Sequence, residues 1–263
     1  MQFGAPITSK ANARVKDLRA AFQGKASAPG DLLGIEGEHL IAEALRSGYA
    51  FDTVFLREGS EAVLARPSLA GLQPQRISVL SRDVYASAVE TVSPQGIAAT
   101  VLLRALPAPK ATGIILVLED IQDPGNLGTL LRSAEAFSAQ QVMVTPGTVN
   151  HWNAKVVRAS AGSVFRIPVT RAPLEQIAAT LAQAGVTLYA AVAPEVGSIS
   201  LLQIHFPLNL AILIGNEGAG LSADALALAH HRVRIPCDVE SLNAAVAGST
   251  LLYEAMRQRE SMQ

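Results

Sequence analysis

The chain has 263 residues, 49% of them hydrophobic and 16% charged, which suits a soluble globular protein with one or two good cores and makes two domains the first expectation. A formal net charge of −1 excludes a global field that would draw in nucleic acid or a membrane surface, so attraction to a polyanion must be local. The single cysteine, Cys237, excludes an internal disulfide framework and fits a reducing compartment.

The opening MQFGAPITSK lacks the apolar core of a secretory signal. A charge-free run, Val196 to Asn216, is broken by Gln203, His205, Pro207 and Asn209 and does not read as a membrane span. A cytoplasmic protein is expected. Residues 9–23 predict a helix with Val15, Leu18 and Phe22 as its buried stripe and Lys10, Arg14, Lys16 and Arg19 as a local basic bias. A strand at LLGIEG, a helix at EHLIAEALRSG closed by Gly48, a strand at DTVFLRE and a weaker strand at RISVL follow, which gives a small α/β domain over 1–105. The Pro- and Gly-containing stretch RALPAPKATG marks a linker, 106–112.

From 113 to 263 the alternation is cleaner. GIILVLE, QQVMVT, VTLYAAV, LAILIG and RVRIP read as strands, with helices at Gly125 to Phe137, Pro173 to Ala184, Ser222 to Ala229 and Leu242 to Arg259. Strands alternating with helices predict a mostly parallel sheet covered on both faces.

Three stretches of this half invite chemistry. In EDIQDPGNLGTLLRSAEAF, Asp123 and Pro124 start a helix whose apolar stripe is Leu127, Leu130, Leu131 and Ala134, and Gly128 lies one turn from Arg132 on another face. In LAILIGNEGAGLS, glycines at 215, 218 and 220 follow a strand. A phosphate loop would need a lysine after its last glycine, a dinucleotide fingerprint would need the reverse glycine order, and Glu217 would repel a phosphate. An open-backboned turn at a strand's carboxyl end remains. In RIPCDVESLNAAVAGSTLLYEAMRQR, Ser241 can cap the last helix with Asn243 in its first turn, and Ala244, Ala247 and Gly248 permit close approach of another backbone.

In this order the three stretches resemble the three signature motifs of the SpoU class, or TrmH family, of RNA ribose methyltransferases: Asn126, Gly128 and Arg132, then Gly215, Asn216, Glu217 and Gly220, then Pro236, Ser241, Leu242 and Asn243. NAKVVRASAGSVFRIPV, ITSKANARVKDLRAAF, LLGIEGEHLIAEAL and SPQGIAA are similar to other parts of the family, so the resemblance spans nearly the whole chain. It implies an α/β fold: a C-terminal SPOUT-type parallel sheet with a trefoil knot and a smaller ribosomal-protein-like α/β domain that binds RNA. It also implies S-adenosylmethionine as cofactor, a ribose 2′-hydroxyl of structured RNA as acceptor, ribosomal RNA ahead of transfer RNA, no metal, and a homodimer, with which the small residues of the last helix are compatible.

By the same analogy Leu213, Ile214, Gly215, Asn216, Glu217, Gly220, Ile235, Pro236, Ser241 and Leu242 hold the cofactor, and Lys10, Arg14, Lys16 and Arg132 contact RNA. Arg132 is the central catalytic residue, and because a guanidinium keeps its proton, gripping phosphate and stabilising developing alkoxide suits it better than acting as base. Asn126, Ser241 and Asn243 orient ribose and cofactor, while Glu217 either holds Arg132 or accepts a proton through water. One departure stands out: CDVE alone separates Pro236 from Ser241, where the family carries about two more residues, including a glycine. The rival reading is a non-catalytic RNA-binding protein of the same fold.

Overall fold

The computed structural model describes residues 3–91, 93–106 and 112–261, so residues 107–111 of the expected linker lie outside the described residues. The chain divides into two units, Met1–Ala105 with Trp152–Phe165, and Leu106–His151 with Arg166–Gln263.

The first unit contains α1 (Ala13–Phe22), β1 (Leu32–Glu36), α2 (Glu38–Arg46), β2 (Ala50–Arg57), β3 (Arg76–Leu80), α3 (Arg82–Ala88) and β4 (Ile97–Leu102). Its sheet runs β1-β4-β2-β3, with β4 antiparallel to both neighbours and β3 parallel to β2. Asn12 caps α1 by accepting from the Arg14 N–H, and Val15, Leu18 and Phe22 are buried as the periodicity predicts. Gly48, in the left-handed region at φ 73°, allows the chain to turn just after α2.

The second unit begins with β5 (Ile114–Leu118), α4 (Pro124–Ala136) and β6 (Ala139–Val144). The next helix, α5 (Ala154–Ala159), belongs to the first unit, although the sequence places it in the catalytic half. The reason is packing: Ala154 joins the core of Val15, Leu18 and Phe22, and Phe165 lies 5.0 Å from the Tyr49 ring. At Gly162 a Cβ would come within 2.6 Å of Glu43, so the segment seats only with a bare backbone there.

The second unit then continues through β7 (Val169–Arg171), α6 (Leu174–Gln183), β8 (Thr187–Ala191), β9 (Ile199–Ser200), β10 (Leu210–Ile214), α7 (Ala223–Leu228), β11 (His231–Arg234) and α8 (Ala244–Glu260). Every pairing is parallel, in the order β7-β6-β5-β10-β8-β11-β9. β5 and β10 are buried at every residue, as central strands of a sheet covered on both faces must be. Late in the chain, β10 inserts between β5 and β8, pairing Ile214 with Leu118 and Leu213 with Ala190. The loops leaving all three strands therefore emerge side by side at the carboxyl edge, where open α/β sheets bind ligands.

Helix α8 lies against α4. A Cβ on Gly248 would come within 2.4 Å of Leu130, and the hydroxyls of Ser133 and Ser249 are 2.6 Å apart. Gly248 and Ser249 thus admit α4 of the same chain. Beyond β6, the Arg171 guanidinium donates to the carbonyls of Thr145, Pro146, Thr148 and Val149. Burial, aided by the nearby Arg171 charge, holds the His151 pKa down at about 4. Among the described residues, no helix is long and apolar enough to cross a membrane.

Candidate active site

The glycine-rich turn after β10 is closed on itself. A Cβ at Gly215 would meet the Gly220 carbonyl carbon at 2.5 Å, so glycine is required there by contact. Asn216 and Gly220 exchange backbone hydrogen bonds of 3.0 Å in both directions, and Asn216 Oδ1 accepts from the N–H groups of Gly218 and Ala219 at 2.9 and 3.0 Å. The amide nitrogen of Asn216 donates to the Asp120 carbonyl at 2.8 Å, tying the turn to the end of β5. The bare backbone serves loop closure, and the N–H groups of Asn216, Gly218, Ala219 and Gly220 are used within the turn.

Three segments far apart in sequence meet beside this turn. Asp123 caps α4 by accepting from the Asn126 N–H at 2.7 Å, with Pro124 as the first helical residue. The Asn126 amide donates to Glu217 at 2.9 Å, and its oxygen accepts from the Asn243 amide at 3.0 Å. Glu217 also accepts from the N–H groups of Gln122 and Asp123 at 3.4 and 3.3 Å. Its carboxylate is therefore occupied by the start of α4, where the helix dipole favours negative charge.

One sequence expectation is corrected here, and one of two alternatives for Glu217 is removed. Asn243, not Ser241, caps α8: its side-chain oxygen accepts from the N–H groups of Ala245 and Val246, so the helix begins at Ala244. Glu217 holds Asn126 and not Arg132. Arg132 is exposed on α4 and forms no hydrogen bond or ion pair among the described residues, which leaves its guanidinium free for an external anion.

A cavity of about 300 Å³ opens at the carboxyl edge, at the small end of the range for ligand pockets, about 300–1,000 Å³. Of the residues expected to hold a cofactor, Ile214, Gly215, Asn216, Glu217, Gly220, Ile235, Ser241 and Leu242 line it. Leu213 does not; it is fully buried in the core beneath. Pro236 is exposed outside the wall, whereas Cys237 and Glu240 of the short CDVE stretch form part of it. Sequence reasoning missed one side of the cavity, Ala191 to Pro194 at the end of β8; small and apolar, these residues carry no chemical signal, and only the strand order brings them in.

This donor set suits an adenosyl cofactor. Alanine, valine, isoleucine and leucine side chains offer flat apolar surface, the turn offers main-chain polar groups, and the lining includes the carboxyl groups of Glu217 and Glu240 but no Lys, Arg or His. Among the described residues no group of three or more His, Cys, Asp or Glu side chains could hold a metal ion. In the first unit Lys10, Arg14 and Lys16 are exposed, with Arg14 donating to the Ser78 hydroxyl at 3.1 Å.

Comparison with known proteins agrees with this arrangement. Residues 113–253 match the SpoU rRNA methylase family, and residues 35–103 match the substrate-binding domain of RNA 2′-O ribose methyltransferases. An uncharacterized tRNA/rRNA methyltransferase of Synechocystis is 38% identical, covering 97% of this chain and 94% of that protein. The 23S rRNA (guanosine(2553)-2′-O)-methyltransferase RlmP of Bacillus subtilis is 32% identical, covering 94% and 97%. The crystal structure of an AdoMet-bound rRNA methyltransferase from Sinorhizobium meliloti superposes with a TM-score of 0.80 at 30% identity, covering 96% and 97%. With both of its halves matched and one residue from each motif joined in a hydrogen-bonded row beside the cavity, the chain belongs to the SpoU family of RNA 2′-O-ribose methyltransferases.

Proposed function

We propose that this protein methylates a ribose 2′-hydroxyl of large-subunit ribosomal RNA in the cytoplasm, with S-adenosylmethionine as methyl donor. The observation that carries the reading is the row Glu217, Asn126, Asn243, in which one residue from each motif is hydrogen-bonded to the next and the first lines the cavity. Similarity to RlmP along nearly the whole of both chains supports ribosomal RNA as the substrate. Bound in the cavity, the cofactor supplies an electrophilic methyl on a sulfonium.

The protein's own contribution is placement and charge. Methyl transfer needs the attacking oxygen in line, its developing negative charge stabilised and water kept out. The wall from Ile214 to Gly220, with Ile235 and Leu242, holds the adenosyl group; Ser241 and Asn243 orient the ribose together with Asn126. Arg132, unpaired among the described residues, binds the phosphate next to the target ribose and stabilises the alkoxide left as the 2′-hydroxyl proton passes through water to Glu217. Lys10, Arg14 and Lys16 contribute RNA phosphate contacts that fix position rather than sequence. The homodimer and the trefoil-knotted path of the C-terminal segment belong to the same proposal. Val246 and Tyr253, half exposed at 51% and 49% on α8, offer apolar surface for a second copy, and the insertion of β10 between β5 and β8 suits a threaded segment.

The test is transfer of labelled methyl groups from S-adenosylmethionine to total RNA lacking the modification, followed by mapping of the 2′-O-methylated nucleotide. Methylation of 23S RNA is expected; label in transfer RNA alone would replace the substrate. Arg132→Ala is expected to lower turnover about 10²–10³-fold, the usual loss when a preorganised donor to developing charge is removed, with cofactor affinity unchanged. Full turnover in that variant would remove Arg132 from the chemistry. Absence of cofactor binding by the wild type would favour a non-catalytic RNA binder.

A further inference from the structure

Glu119 follows directly on β5, a strand whose five residues are all apolar and buried. It is itself only 8% exposed. A carboxylate in that position is costly to desolvate unless its oxygens are well satisfied. Both are: Oε2 accepts from the Ser222 N–H at 2.9 Å and Oε1 from the Ser222 hydroxyl at 2.6 Å. Ser222 also caps α7, its oxygen accepting from the Ala225 N–H at 3.1 Å.

The consequence lies in where Ser222 stands, immediately after the turn that forms one wall of the cavity. The front of that turn is held at Asn216 by the Asp120 carbonyl and at Glu217 by the start of α4. Asp120 can present its carbonyl because it sits in the left-handed region at φ 53°, with its side chain accepting from Thr145 at 2.6 Å. Glu119 holds the rear. The β5–α4 connection thus grips both ends of the turn, and the closed hydrogen-bond pair between Asn216 and Gly220 spans the gap.

We infer that Glu119 is a positioning residue for cofactor binding, acting through Ser222 to fix the rear of the Gly215–Leu221 wall. The inference rests on the reading of this cavity as the S-adenosylmethionine site. It separates Glu119 from the three motifs: Glu119 is absent from the cavity lining, so its effect must pass through the loop. A loose wall penalises cofactor binding by the ordering entropy paid on association, while Glu217, at the front of the turn, stays held by the start of α4 and Asn126.

The experiment measures S-adenosylmethionine binding by calorimetry and steady-state kinetics for the full-length wild type, Glu119→Ala, Glu119→Gln and Ser222→Ala. Glu119→Ala is expected to raise Kd and KM for the cofactor about tenfold, the size expected for losing hydrogen bonds to a charged group. Its kcat and its KM for RNA should change less than about twofold, since the interactions lost act on cofactor binding alone. Ser222→Ala keeps the backbone donor and loses the hydroxyl, so an intermediate rise is expected. Glu119→Gln, able to accept from the N–H and to donate to the hydroxyl, should restore near wild-type binding. A wild type that binds no cofactor would overturn the reading of the cavity and this inference with it. A binding wild type with unchanged affinity in Ser222→Ala and in folded Glu119→Ala would overturn the inference alone, as would a parallel loss in kcat and RNA KM. Should Glu119→Ala fail to fold, Ser222→Ala and Glu119→Gln decide.

Discussion

Asn243 does two jobs with one amide. Its oxygen accepts from two N–H groups at the start of α8, and its nitrogen donates to Asn126. Substitutions can separate the two. Asn243→Ala should cost about 1 kcal/mol of stability, the usual value of a lost N-cap, and also lower activity because Asn126 loses its donor. Asn243→Ser should recover most of the stability, as serine caps about as well, but not the activity. Denaturant midpoints and turnover measured on both variants check this; activity restored by serine would mean that the cap alone matters. The same residue shows where sequence reading stops. Ser241 and Asn243 are both good caps two positions apart, and only the bridge to Asn126, 117 residues away, pulls the cap onto the asparagine. Glu119 escaped notice for a related reason: its partner lies 103 residues on, and nothing local to it signals the pairing.

At the scale of elements, hydrophobic periodicity was a dependable guide where it had enough length to work with. The strand RISVL coincides with β3, α1 and α6 fall within the expected stretches and α4 begins one residue early, and α1 and α4 bury the expected faces. Elements left unread were those without a period to detect. β4 is a central strand buried at five of its six positions, so it shows no alternation, and α3 and α5 have seven and six residues, under two helical turns. Helix α1 also carries a prediction. Arg14 and Lys16 on the helix and Lys10 just before it are exposed while the stripe is buried, so replacing the three together by alanine should spare the core. RNA affinity should fall and its dependence on salt should flatten by up to about three phosphate equivalents, with S-adenosylmethionine affinity unaltered. Filter binding across a salt series gives the slope, and an unchanged slope would remove these residues from the RNA contact.

Across the whole molecule, the fold class and the family were legible from the sequence, and the expected end of the first domain at 105 coincides with a unit boundary, whereas the return of a later segment to the first unit was not legible. Trp152–Phe165 leaves the second unit for the first because aromatic and small residues there complete a core 100 or so positions earlier, a fit that linear order conceals. The cavity is likewise a product of strand order: β8, β10 and β11 must be adjacent before Ala191 and Gly215 can share a wall. One residue close to the first boundary has a bearing on the acidity that the folded chain tolerates. His151 takes up a proton only near pH 4 when folded, against an ordinary value of 6.5. As pH falls below 6.5 the unfolded chain therefore protonates first, and the stability that the neutral imidazole secures above 6.5 is lost progressively down to about 4. The loss amounts to at most about 3 kcal/mol. Urea midpoints compared at pH 7.5 and 4.5 should drop less in His151→Asn than in the wild type; equal drops would assign the acid sensitivity to carboxylates instead. Proton uptake at this one imidazole then makes acid narrow the pH range over which the folded chain is favoured.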